Sequence, residues 1–226
     1  MTLFIFAIVL IAFALITGLW AQLKVGSTYA KWSKVASRSG MTGMEAAQYV
    51  MREAGISDVR ITPIHGHLTD HYNPATKELC LSEENYYGRS LAALGVAAHE
   101  AGHAVQHKVG YTMLHFRMTL VPVTQFASSA LPVIMIVGFF IGLIKPLALL
   151  GAAVYAILTL FQFVTLPVEF DASNRAKEKL MGLGILAKDE MEGVKSVLGA
   201  AAWTYVAAFI ASLGWLLYFL AASRDD

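Results

Sequence analysis

The chain has 226 residues, of which 57% are hydrophobic and 15% charged, with a formal net charge of +1. That balance excludes an ordinary soluble domain and points to a membrane protein. The near-neutral charge leaves no basic patch dense enough to neutralise a run of phosphates, so no nucleic-acid partner is expected. A single cysteine, Cys80, excludes an internal disulfide and reads as a thiol packed in a strand rather than as a nucleophile.

In chain order, the apolar stretch 3–23 has neither a basic leader nor a small-residue cleavage site, which predicts a retained transmembrane helix. Thr42-Gly43-Met44-Glu45 fits a capping box and opens a short amphipathic helix that Gly55 stops, with Met44, Ala47, Val50 and Met51 on its apolar face. Residues 59–64 and 78–82 alternate in polarity, and 70–76 supply turn chemistry between them. A small antiparallel sheet is expected. An exposed strand edge can pair with the backbone of an extended peptide, and 78–82 is expected to take that role by its position just before the next helix. Ser90 then caps a helix that runs to about Gly110.

That helix carries His99-Glu100-Ala101-Gly102-His103, an H-E-x-x-H pattern. With about 3.6 residues per turn, His99 and His103 project from one face and can share a metal ion, Zn2+ by the chemistry of the pattern. Glu100 points beside that ion, where a carboxylate can take a proton from water and pass it to a leaving amine. His107 lies too far along the helix to join the pair. A third ligand must come from elsewhere. Glu169 and Asp171, just beyond the third apolar stretch, are the candidates; Glu169 is preferred and Asp171 remains the alternative. His65, His67, Tyr86, Tyr87 and Arg175 are candidate donors to an oxyanion.

Further apolar stretches cover 121–144, 147–166 and 200–222, with the break between the first two at Lys145-Pro146 and the second ending at Pro167. The expected organisation is a first transmembrane helix (1–23), a polar segment with the H-E-x-x-H helix (24–120), a transmembrane hairpin (121–166), a polar segment with the third ligand (167–199), and a last helix with its tail (200–226). The hairpin returns the chain to its starting side, so both polar segments share one face of the bilayer. That side carries Lys24, Lys31, Lys34, Arg38, Lys108, Arg117, Arg175, Lys177, Lys179, Lys188 and Lys195, against Lys145 and Arg224 on the other, and the positive-inside rule makes it cytoplasmic.

The run His-Glu-Ala-Gly-His-Ala-Val-Gln-His (99–107), the preceding Ser-Leu-Ala-Ala-Leu-Gly-Val-Ala-Ala (90–98) and the later Pro-Val-Glu-Phe-Asp-Ala-Ser-Asn-Arg-Ala (167–176) resemble the YugP-type family of neutral zinc metallopeptidases of bacterial membranes. The resemblance covers nearly the whole chain. More distantly the chain is similar to membrane gluzincins, including the HtpX heat-shock protease and the CAAX-prenyl endoproteases. Those enzymes use a downstream E-x-x-x-D segment whose Glu binds zinc and whose Asp supports a ligand histidine. Glu169 matches that Glu. Ser173 stands where the Asp would be, so Asp171 or Asn174 would have to replace it. The resemblance implies a mainly α membrane protein with four transmembrane helices and a zincin-like cytoplasmic part. It also implies a zinc metalloendopeptidase acting on peptides or membrane proteins in the bacterial cell membrane. The competing reading is a catalytically idle zinc-binding membrane scaffold or adaptor with a closed four-ligand site.

Overall fold

A computed structural model describes residues 2–224, apart from the side chain of residue 144. The elements run α1 (Thr2–Trp32), α2 (Gly43–Glu53), β1 (Arg60–Ile64), β2 (His71–Asn73), β3 (Glu78–Ser82), α3 (Glu83–Tyr86), α4 (Leu91–Lys108), α5 (Thr112–Phe140), α6 (Ile144–Gly182) and α7 (Met191–Ala222). The chain divides into two compact units. The fold is mainly helical with a small sheet, as the sequence leads one to expect.

One unit comprises Met1–Ala21, His115–Pro167 and Trp203–Asp226. It is built from parts of α1, α5, α6 and α7, which are 31, 29, 39 and 32 residues long and apolar enough to cross a membrane. A helix closes its own backbone hydrogen bonds, which hydrocarbon demands. Large apolar side chains such as Phe126 and Phe140 point outward, an arrangement costly in water and favourable in lipid. Ring contacts knit the inside: Trp20 meets Trp203 edge-on at 5.6 Å, and Tyr155 stacks on Trp215 and Phe219 at 5.9 and 5.5 Å.

Two expectations about prolines are corrected here. The break between α5 and α6 falls at Gly142, whose φ of +78° suits a residue without a Cβ. Pro146 lies within the first turn of α6, where its missing N–H forfeits no helical bond. Pro167 does not end α6 either, and Pro122 and Pro132 also sit inside a helix. Each leaves only one carbonyl without its helical donor. Breaking the helix in hydrocarbon would expose many more.

The other unit comprises Gln22–Leu114 and Val168–Ala202. Its sheet has the order β1-β3-β2. β1 runs parallel to β3, with Arg60 opposite Glu78 and Ile64 opposite Ser82, whereas β2 runs antiparallel to it, with His71 opposite Cys80. The sheet is therefore mixed, and the expected antiparallel pairing of the first and last strands is corrected. The segment taken as one long turn contains β2, and only its end is a turn, where Asn73 Oδ1 accepts from the backbone N–H groups of Ala75 and Thr76. β3 becomes the central strand. Both its edges are occupied, so it cannot offer one to a substrate, and the role expected for it fails on that ground.

Local signals place the remaining elements well. Thr42 and Glu45 form both halves of the capping box, and Ser90 Oγ accepts from the N–H of Ala93 at the start of α4. Asp70 accepts from the Ser82 N–H and from Asn85 Nδ2, and Tyr29 donates to Asn85 Oδ1 at 2.7 Å, which ties α1 to α3. α4 is buried on nearly every side by Leu79, Leu81, Val50, Leu180 and Val194 among others, as expected of a helix without a polar stripe.

Its small residues set how near its neighbours come. A Cβ built on Gly102 would lie 2.7 Å from the carbonyl oxygen of Ala172 on α6, so the two backbones meet there. Gly102→Ala must push them apart, and should cost about 1–3 kcal/mol and weaken zinc binding roughly tenfold. Thermal unfolding in detergent and competition with a chelator measure the two effects.

Candidate metal centre

α4 presents His99 and His103 one turn apart, with ring centroids separated by 4.8 Å. From α6, Glu169 brings Oε2 to 3.2 Å from His99 Nε2 and 3.6 Å from His103 Nε2. One donor atom from each residue lies within 4.8 Å of the other two. Tetrahedral zinc with bonds of about 2.0–2.2 Å holds its ligand atoms about 3.3 Å apart, so the cluster has the right size. Two imidazoles and a carboxylate are also the donor set of a catalytic zinc. Glu169 has only 4% of its surface exposed, and a carboxylate so deeply buried needs positive charge beside it.

The outer nitrogens of both rings are held. His99 Nδ1 lies 3.1 Å from Ser173 Oγ, and His103 Nδ1 lies 3.0 Å from Gln106 Oε1. Gln106 is completely buried and donates through Nε2 to the Val168 carbonyl and to Asp171 Oδ2, each at 2.8 Å. Arg175 donates through Nε to the same Asp171 oxygen at 2.5 Å, and its guanidinium sits 6.0 Å from the Tyr111 ring centre. Glu100 is buried, yet its carboxylate makes no hydrogen bond or ion pair with any described residue. Among the described residues the one fully buried side-chain polar atom without a partner is Thr159 Oγ1, so the Glu100 oxygens keep access to solvent, where they can meet a water or a substrate.

The structure thus gathers His99, His103 and Glu169 and gives the other candidates different places. Asp171 faces Gln106 and Arg175 instead of the cluster. Asn174 is exposed. His65 pairs with Glu83 at 3.1 Å, while His67 pairs with Glu84 and sets its ring edge-on to Tyr29. Tyr86 and Tyr87 pack on each other, and His107 Nδ1 meets the Tyr72 hydroxyl at 2.8 Å. Cys80 is half-buried on β3 beside Thr62. Gln106 escaped notice in the sequence, although its place three residues after His103 puts it on the same helix face. Ser173 supplies a hydroxyl to His99 where a carboxylate had been expected.

Residues 7–224 match the sequence profile of the family described as "Putative neutral zinc metallopeptidase". The chain belongs to this family. It is also 45% identical, over 201 residues that make up 89% of each chain, to the "Putative membrane protease YugP" of Bacillus subtilis (strain 168). No solved structure matches it. Family and geometry agree on the metal: zinc is the ion that fits the His99–His103–Glu169 cluster. With its four long apolar helices, this zinc metallopeptidase is an integral membrane protein.

Burial by itself would lower the pKa of His103, but the hydrogen bond and charge of Glu169, with Glu100 nearby, outweigh it and hold the ring above its ordinary 6.5. Two consequences of opposite sign follow. In the metal-free protein the protonated ring stabilises the fold fully below the unfolded pKa, and that contribution is lost as the pH rises through the raised folded value. Zinc needs the neutral ring, so its affinity falls as the pH drops through the same value. Zinc binding near neutral pH should therefore release protons. Calorimetric titration in two buffers of different ionisation enthalpy counts them.

Proposed function

We propose that this protein is a gluzincin-type zinc endopeptidase of the bacterial cell membrane, with its active site on the cytoplasmic side and membrane proteins or membrane-proximal peptides as substrates. The observation that carries the proposal is the Glu100 carboxylate, hydrogen-bonded to no described residue and acting by its charge on His103, next to a three-residue cluster that fits zinc.

Bound zinc supplies a Lewis acid for the scissile carbonyl and brings the pKa of a water down to about 7. His99, His103 and Glu169 hold it and, among the described residues, are the only group of three that can do so. Glu100 takes the proton of the attacking water and delivers it to the leaving amine, serving as base and then as acid. An extended substrate needs a backbone edge. Since β3 is enclosed, the edge beside α4 is that of β2, which the Tyr72–His107 contact ties to the helix. The cytoplasmic orientation rests on the excess of Lys and Arg in the two polar segments. Glu169 follows directly on an apolar stretch of the sequence, which favours substrates already held at the membrane.

An idle scaffold would need a fourth protein ligand to close the metal site. His107 and Asp171, the two candidates for that place, are engaged with Tyr72 and with Gln106 and Arg175 respectively. Glu100→Gln distinguishes the two. The purified variant should keep zinc and its thermal stability while cleavage of a denatured membrane protein falls roughly a hundred- to ten-thousand-fold. Undiminished cleavage would remove Glu100 from the mechanism.

A further inference from the structure

The two histidines are alike in sequence context and unlike in what holds them. Behind His99 stands a serine hydroxyl; behind His103 stands a fully buried amide with a carboxylate beyond it. The orientation of that amide is fixed by its surroundings. Gln106 Nε2 lies 2.8 Å from the Val168 carbonyl oxygen and 2.8 Å from Asp171 Oδ2. A carbonyl oxygen only accepts, and so does a carboxylate paired with arginine. Turning the amide over would set its oxygen against two acceptors at a completely buried side chain. Gln106 Oε1 must therefore face His103 Nδ1, where it can only accept. The ring must carry its hydrogen on Nδ1. In the neutral ring, the form that zinc requires, Nε2 is then the bare lone pair, directed to the side where Glu169 Oε2 lies at 3.6 Å.

We propose that Gln106 is the positioning residue of this site: it selects the His103 tautomer that binds zinc, and it is itself held in register by Asp171, which Arg175 anchors. The proposal rests on the reading of His103 as a zinc ligand. Selecting the tautomer in advance matters because a neutral imidazole in water divides its proton between both nitrogens, and a ring that turned its N–H inward could not bind the ion. An amide suits the task. It accepts from the ring without adding a second full negative charge beside Glu169 and Glu100, and its two hydrogens are used by Val168 and Asp171. Asp171 thereby acts on the metal site through Gln106 without touching it, and Arg175 takes the outermost place in the chain of contacts. Val168 is the residue before Glu169, so the bond to its carbonyl also ties Gln106 to the backbone that delivers the third ligand.

The test uses the full-length protein in detergent. Gln106→Met keeps the volume and removes both the acceptor and the donors. It should weaken zinc binding about 10- to 100-fold in chelator competition and alter the visible absorption bands of the cobalt(II)-loaded protein. Asp171→Asn, which can still accept from Gln106, should restore most of the affinity that Asp171→Ala loses. His103→Ala separates two kinds of failure. If it binds zinc as wild type does, the ligand assignment is wrong. If it loses zinc while Gln106→Met keeps wild-type affinity and cobalt bands, the ligand stands and the positioning role is overturned. Should Gln106→Met fail to fold, the wild-type protein still decides the matter. Nitrogen NMR of isotope-labelled histidine in the zinc-loaded protein should find His103 protonated at Nδ1, and protonation at Nε2 overturns the proposal.

Discussion

The near-contact of two backbones at Gly102 and Ala172 is what the metal cluster depends on. His99 and His103 are neighbours by helical geometry alone, but Glu169 belongs to another helix and must be brought within about 3.3 Å of them. A carboxylate reaches only a few ångströms from its backbone. α4 and α6 must therefore pack closer than helices bearing ordinary side chains, and the alanines of α4, with Gly102 at the crossing, permit it. Small residues at such crossings usually signal tight packing. Here that packing sets a distance between ligands.

Closeness has an electrostatic cost that the same residues manage. Burying Glu169, Glu100 and two imidazoles together removes them from water, and burial opposes every charge among them. Hydrogen bonds from both histidines and their charge outweigh burial at Glu169 and hold its carboxyl well below the usual range. His103 is shifted the other way by the same contact. The metal-free site is thus a mutually charged pair kept ready for a cation, while Ser173 and Gln106 fix the faces that the rings present.

Much of this was legible in the chain and some was not, for reasons that lie in the physics of each signal. The H-E-x-x-H spacing is a direct imprint of the helical period, and the capping box around Thr42 is equally local. Glu169 could be found because a carboxylate at the end of an apolar helix is conspicuous. Strand direction leaves no such imprint, since alternation is the same for parallel and antiparallel neighbours, and the three residues of β2 are too few to announce themselves. The prolines misled because the habit of ending helices at proline comes from water, where a released carbonyl is readily solvated. Gln106 was missed for a different reason. A lone polar residue near a helix end resembles a solvated one until the helix around it is known to be buried.

The position of Glu169 at the far end of a hairpin orders events in time as well as in space. Synthesis delivers His99, Glu100 and His103 first. The third metal-binding side chain follows only after α5 and the apolar part of α6 have been made. A growing chain therefore carries His99, Glu100 and His103 but no complete metal cluster until it holds the segments that commit it to the bilayer. A cluster completed in this order belongs to a chain that already holds three of its four long apolar helices in whole or in large part.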